Sequence, residues 1–191
     1  KPDCIAVAFD GPVARLERTA IYPEYKSTRE KAPDEMLAQL DDIRRVVEGY
    51  GIPIVESEVH EADDVIGTLA VQGRDAGMEV FIATGDKDFM QLVDDKLKLW
   101  NLRGSTIKPE ILGSKEVEAK FGVRPDQMID FLALMGDSSD NIPGVPRVGQ
   151  KTARGLLEQF GTLDAVLERA EEVKQPSIKK ALLENRELAL L

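Results

Sequence analysis

Short apolar runs alternate with amphipathic helical patterns along the first half of this chain, and that alternation limits the folds open to it. Cys4 to Phe9 (CIAVAF) is an apolar run with β-branched members; Ile52 to Val55 is a second, after the Gly49-Tyr50-Gly51 break; Glu79 to Ala83 (EVFIA) is a third; Leu97 to Leu102 reads as a fourth. Each has the length and composition of a buried strand. Between them, Met36, Leu37, Leu40, Ile43, Val46 and Val47 keep the 3–4 spacing of one amphipathic helix, with Pro33 suited to its first turn, and Val65, Ile66, Leu69 and Ala70 mark another. Strands alternating with helices predict an α/β fold with a mostly parallel sheet flanked by helices. After about Ser114 only helical patterns occur, among them Met128, Ile129, Leu132 and Met135 with Pro125 near the start. The reading is a division into an α/β core over 1–113 and a helical subdomain over 114–191.

Composition closes several routes to function. One cysteine, Cys4, and one histidine, His60, exclude an internal disulfide framework and a Cys/His zinc site. A bound metal must therefore be held by oxygen, which favours magnesium or manganese ahead of calcium. No signal peptide and no membrane-spanning apolar run is visible, so the chain is expected to be cytoplasmic, without a membrane partner. It starts at Lys1, not methionine, and runs at once into an apolar strand, so the true N-terminus is expected to be missing.

The net charge of −10 argues against nucleic acid if taken alone. The distribution says otherwise. Asp10 follows the first strand, Glu61, Asp63 and Asp64 open the helix after the second, and Asp86 and Asp88 follow the third. Asp137 and Asp140 lie in a loop after a helix. Ligands of open parallel sheets bind beyond the carboxyl ends of the strands, where three of these groups fall. Carboxylates gathered there raise one another's pKa unless cations neutralise them. Two or more divalent ions would do so and would activate water at a phosphodiester. Each group also has a local explanation: helix-dipole acids for Glu61, Asp63 and Asp64, a turn for Asp10 and for Asp137–Asn141, a cap for Asp86 and Asp88. The metal reading accounts for all four groups at once.

From Asn141 to Leu157 there is no acid, while Arg147, Lys151 and Arg154 are present. Gly144-Val145-Pro146-Arg147-Val148-Gly149 reads as a glycine-bounded hairpin between helices, leading through Gln150, Lys151 and Thr152 into the second helix. Free N–H groups at that helix start, with Lys151 and Arg154 beside them, suit a phosphate. The bland reading is a solvated helix with surface lysines. A second basic group, Lys26, Arg29 and Lys31, lies in the polar, proline-bracketed stretch Tyr22–Pro33, read as an exposed loop or marginal helix. Its position shortly after Asp10 gives Lys26 and Arg29 a phosphate-clamping reading.

Taken together, Phe9-Asp10, Tyr25-Lys26-Ser27-Thr28-Arg29, Glu61-Ala62-Asp63-Asp64, Thr84-Gly85-Asp86-Lys87-Asp88 and the run from Asp130 to Val145 (DFLALMGDSSDNIPGV) closely resemble the 5′-nuclease domain of bacterial DNA polymerases I, in the flap-endonuclease family. The resemblance covers nearly the whole chain, in order. It implies a PIN-like core with an arch at about 22–33 and a helix-three-turn-helix at about 141–160. It implies metal-dependent hydrolysis of structured DNA at a 5′ end or 5′ flap in bacterial replication and repair, in association with the nucleoid. Asp10, Glu61, Asp63, Asp64, Asp86, Asp88, Asp137 and Asp140 fall on the family's metal-site acids. Lys26 and Arg29 fall on its arch-base residues that engage the scissile phosphate, and Gly144, Val145, Arg147, Gly149, Lys151, Thr152 and Arg154 on its DNA-gripping module, where a potassium ion often binds backbone carbonyls. The expected cofactor is Mg2+ or Mn2+, the expected state a monomer, and the expected parent a protein in which a polymerase domain can follow. One departure is expected: the family's earlier first strand, ending in an acid, lies upstream of Asp10 and is absent here.

Two other readings compete. A haloacid-dehalogenase-type phosphatase would use Gly136–Asn141 as its last acidic loop and Phe9-Asp10-Gly11 as its first, but its nucleophile motif needs a second aspartate where Pro12 stands. A catalytically inert DNA-structure-binding fragment, lacking the first acid, would bind a flap substrate without turning it over in magnesium.

Overall fold

The structure, a computed structural model, describes residues 2–11, 13, 16–101 and 110–191. Pro12 and the expected strand end at Leu102 lie outside the described residues. The chain divides into two compact units, Lys1–Leu69 and Ala70–Leu191.

In the first unit, β1 (Val7–Phe9) pairs in parallel with β2 (Ile54–Glu56), Val7 opposite Ile54 and Phe9 opposite Glu56. Only the last three residues of the first apolar run enter the ladder; Cys4 and Ile5 stay exposed. Helix α1 (Leu16–Ile21) follows, then turns through Tyr25 and Lys26. The single helix expected from Pro33 to Val47 is two helices, α2 (Asp34–Leu37) and α3 (Leu40–Gly49). Pro33 precedes the first as an extended N-cap (φ −54°, ψ 141°) instead of entering its first turn. At the break, the Gln39 side-chain amide donates to Glu35 O at 2.8 Å. Arg44 ties α3 to the sheet by pairing with Glu56 and lying 4.3 Å from the Phe9 ring centroid. Helix α4 (Ala62–Asp75) starts in this unit and ends in the next, because the division falls within it.

The second unit contains a three-stranded sheet of order β3-β4-β5 (Val80–Ala83, Leu97–Asn101, Glu110–Leu112). β3 and β4 are parallel, as expected; β5 is an antiparallel strand that sequence patterning did not reveal. Ile82, Leu97, Leu99 and Leu112 are buried while Phe81, Trp100 and Ile111 are exposed, the period-2 signature of a sheet with one face on a core. A 3-10 turn, Asp88–Leu92, sends Phe89 and Met90 into that core.

Beyond it lie α5 (Ser114–Phe121), a 3-10 turn at Pro125–Gln127, α6 (Met128–Met135), α7 (Gln150–Phe160), α8 (Leu163–Glu168), a 3-10 turn at Ala170–Glu172, α9 (Pro176–Glu184) and α10 (Arg186–Ala189). Their core is built from Met128, Phe131 and Leu134 of α6, Ala153, Leu156, Leu157 and Phe160 of α7, and Val166 and Leu167 of α8. The i, i+3, i+4, i+7 spacing of the α7 set turns one face of that helix inward. Asp130 Oδ2 accepts from Leu163 N at 2.9 Å, so α6 caps α8. The expectation of helices alone after Ser114 needs one correction. β6 (Gly136–Asp137) and β7 (Ile142–Pro143) form a two-residue antiparallel ladder between α6 and α7. It is too short for any hydrophobic period to announce it.

Candidate metal centre and nucleic-acid interface

Among the described residues, five polar or charged side chains are buried: Lys26, Glu61, Gln127, Asp137 and Asp140. Gln127 is a structural staple, donating to Gly161 O at 2.8 Å and accepting from Arg124 N at 3.2 Å. The other four are residues singled out from the sequence. Burying charge is costly without partners, so their surroundings decide what they can do.

In the second unit, Asp88, Asp137 and Asp140 each offer one carboxylate oxygen, all lying within 4.8 Å of one another. Three local features converge to place them. Asp86 Oδ1 accepts from Asp88 N at 3.0 Å and Thr84 Oγ1 from Asp86 N at 3.0 Å, so the chain leaving β3 is bent by its own side chains. Asp86 thus stands outside the three-oxygen group, holding Asp88 in place. On the other side, the β6–β7 ladder fixes Asp137 opposite Ile142. That ladder depends on two glycines: Gly136 has φ +82°, and a Cβ on it would collide with Gly144 N, while a Cβ on Gly144 would collide with the backbone of Met135 and Gly136. Gly144, chosen from the sequence for DNA contact, is required by this close backbone crossing.

The electrostatics of the group are unbalanced. Lys87 Nζ lies 2.8 Å from Asp137 Oδ1, which also accepts from Ser139 N at 2.9 Å. Burial works against ionised Asp137, but these two bonds and the Lys87 charge outweigh it and hold its carboxyl below the ordinary range. Burial also disfavours charge on Lys87, yet Asp137, Asp88 and Asp86 together hold the ammonium above its usual value. Asp88 is the opposite case. Burial first, then the Asp86, Asp137 and Asp140 charges, only partly offset by Lys87, push its carboxyl from the ordinary 3.8 to about 6. Its Oδ1 is buried with no hydrogen-bond partner. A hard divalent cation fits this all-oxygen donor set and would relieve both the repulsion and the orphaned oxygen.

The acids of the first unit are partnered differently. Glu61 is buried and accepts from Tyr25 Oη at 2.9 Å and from Lys26 Nζ at 3.0 Å on both oxygens; Arg18 Nη1 is 3.3 Å away. Arg18 also grips Asp64 with two bonds of 2.7 Å. Asp64 Oδ2 accepts from Glu61 N at 3.1 Å, and Asp10 Oδ1 from Ala62 N at 2.7 Å. Both acids thus satisfy open N–H groups at the start of α4. The Arg18 bonds hold the Asp64 carboxyl below its ordinary range. Asp63, exposed in the first turn of α4, completes that acidic set. Lys26 corrects the expectation of an exposed loop cation. A left-handed turn (φ +53°) carries it inward, and its ammonium lies 4.7 Å from the Tyr25 ring centroid. Arg29 stays exposed. Arg18 and Lys87 escaped sequence reading, since their partners lie far along the chain and neither belongs to a basic cluster; only the place of Lys87 between Asp86 and Asp88 signals it.

The basic segment leaves β7, turns with Val148 N donating to Val145 O at 3.0 Å, and enters α7. Val145 and Val148 anchor it in the core, 2% and 5% exposed, and the Val145 backbone is itself engaged, its N–H donating to Leu134 O at 2.9 Å as its carbonyl accepts from Val148 N. Arg147 projects from the tip in a left-handed conformation (φ +69°). Gly149 is the extended N-cap of α7, and a Cβ added there would meet nothing within 4 Å. Lys151 is exposed and Thr152 half-buried on the first turn. Arg154 is exposed, with its stem packed over Gly122, the left-handed C-cap of α5.

Comparison with known proteins agrees with this arrangement. Residues 1–122 match the family model described as 5′-3′ exonuclease, N-terminal resolvase-like domain, and residues 123–191 match 5′-3′ exonuclease, C-terminal SAM fold. The chain is 42% identical over 191 residues to a DNA polymerase I of Bacillus subtilis, covering all of this chain and 22% of that protein. It is 40% identical over 190 residues to one from Rhizobium leguminosarum, covering 18% of it. The chain thus spans about a fifth of the length of the curated relatives it matches. Its fold superposes on a bacteriophage T5 flap endonuclease, solved with DNA and metal ions, with a TM-score of 0.86 at 20% identity, over 98% of this chain and 71% of that one. Among the described residues no helix is long and apolar enough to cross a membrane. A resolvase-like α/β segment followed by a SAM-type helical segment, matched by family models from the first residue to the last, places this chain in the 5′-3′ exonuclease family.

Proposed function

We propose that this chain is a metal-dependent 5′-nuclease, hydrolysing phosphodiester bonds of structured DNA at a 5′ end or the base of a 5′ flap. The observation that carries the reading is the Asp88–Asp137–Asp140 group, with three oxygens converging and one of them buried without a partner. Magnesium or manganese is the cofactor such a donor set selects. When bound, a divalent ion supplies activation of water and neutralisation of charge on the phosphodiester. The metal role of Asp86, and of Asp10, Glu61, Asp63 and Asp64, rests on the family resemblance, as does the second ion of a two-metal mechanism.

The protein's own groups have separable tasks. The open N–H groups at Gly149 and Gln150, with no side chain in front of them, receive a backbone phosphate. Arg147, Lys151 and Arg154 add charge to that contact, which positions the duplex without reading its sequence. A potassium ion on the hairpin carbonyls belongs to the same proposal. Arg29, exposed on the surface, and Lys26, on leaving Glu61, would engage a phosphate.

The test is an end-labelled 5′-flap DNA in magnesium, beside an EDTA control and the Asp86→Ala and Asp137→Asn variants, with gel shifts in calcium. Cleavage lost in EDTA and in both variants, with binding retained, supports the nuclease. Binding without cleavage by the parent chain would favour a DNA-structure-binding module instead.

A further inference from the structure

The Lys87 ammonium sits where a metal reading leaves no task for it. Its side chain is 27% exposed, at the start of the 3-10 turn that carries Asp88, and it ends 2.8 Å from Asp137 Oδ1. Asp137 is one of the three acids whose oxygens converge, so the ammonium and an ion held by that group compete for the same carboxylate. Two positive charges a few ångströms apart in a half-buried setting repel strongly. A lysine, unlike an arginine, is a compact charge on a flexible stem and can withdraw without breaking a two-bond fork. Asp88 Oδ1 stays unpartnered even with Lys87 in place, so the group still has an oxygen to offer a cation.

We propose that Lys87 is a resident counter-cation of the Asp88–Asp137–Asp140 group: it holds the group together in the metal-free protein and is displaced from Asp137 when a divalent ion binds, so that it sets the metal concentration at which the site fills. The inference rests on the metal reading above and deepens it. Lys87 is a positioning residue, acting through Asp137.

The experiment is Mn2+ titration by calorimetry, with thermal melts in EDTA and in saturating Mn2+, on the parent chain, Lys87→Met, Lys87→Arg and Asp137→Asn. Removing the competing charge is expected to tighten Mn2+ binding in Lys87→Met by on the order of tenfold. Its EDTA melt should fall and the gap between its two melts should widen, whereas Lys87→Arg should keep the parent's EDTA melt and bind Mn2+ more weakly than the parent, since its fork withdraws less readily. Should Lys87→Met fail to fold in EDTA, recovery of its circular dichroism on adding Mn2+ supports the proposal, and failure to recover overturns it. Unchanged or weaker Mn2+ affinity in a folded Lys87→Met overturns the counter-cation role while leaving the metal site intact. Identical Mn2+ isotherms for the parent and Asp137→Asn would overturn the metal reading itself.

Discussion

The two acidic groups of this protein are made from the same residue types and end in opposite states. Around Glu61 and Asp64 the protein supplies Arg18, Lys26 and the Tyr25 hydroxyl, with bonds of 2.7 Å from Arg18 to Asp64 and of 2.9–3.0 Å from Tyr25 and Lys26 to Glu61. At Asp137, in the second group, it supplies Lys87, and at Asp88 it leaves a buried oxygen without a hydrogen-bond partner. The first group is closed by side chains and acts in the metal-free protein as a structural clasp. The second is closed only in part, and its unmet electrostatic demand is what a cation would satisfy. Neighbours, not the carboxylates, decide how much of each acid's electrostatic demand is met within the protein.

The contrast is best broken where the clasp is deepest. Glu61→Ala takes the carboxylate away from the buried Lys26 ammonium and should cost about 3–5 kcal/mol, read by urea unfolding in EDTA. Replacing both partners, as Glu61→Gln with Lys26→Met, should recover most of that loss; no recovery would mean that the pair is not the unit of stability. Next comes the metal. Mg2+ at a hundredfold its dissociation constant should stabilise the parent by about 2.7 kcal/mol, and Asp137→Asn much less.

Charge removal should then act with opposite signs in the two groups. Asp88 has a raised pKa in the folded state, so its contribution is full below the ordinary 3.8 and lost as pH rises through about 6. Asp64 has a lowered one, so its contribution is present above 3.8 and lost as pH falls through the folded value. At pH 7 in EDTA, Asp88→Asn should therefore stabilise and Asp64→Asn destabilise, each by about 1 kcal/mol after solvent screening. Chemical denaturation across pH 4 to 7 separates them, and the same sign in both would erase the distinction.

The smallest effect on stability belongs to a cation outside both groups. Lys151→Ala should change it by less than about 0.5 kcal/mol. It should nevertheless weaken DNA binding and lower the slope of log affinity against log salt by about one. An unchanged slope would mean that the α7 start is not the phosphate grip.

Sequence periodicity located β2, β3, β4, α4 and α6 because each carries its own signal: a β-branched run, or apolar residues three and four apart. It failed where structure rests on a single crossing or a local break. The β6–β7 ladder is two residues long and exists because Gly136 and Gly144 let two backbones touch. The α2–α3 junction is a short break that leaves the apolar spacing of its helices intact. The burial of Lys26 was hidden by a polar, proline-bracketed stretch whose composition reads as solvent-exposed.

The sequence by itself determined the class of fold and the positions of the acids, because strand ends, helix starts and turns are properties of neighbouring residues. It also determined that any metal must be held by oxygen, since one cysteine and one histidine leave no other donor set. Only the tertiary structure decided which carboxylates are answered and which are not. Arg18 reaches Asp64 across 46 residues, and Lys87 meets Asp137 through elements distant in the chain. Electrostatic energy depends on distance in space and on burial, and neither is written in the order of residues.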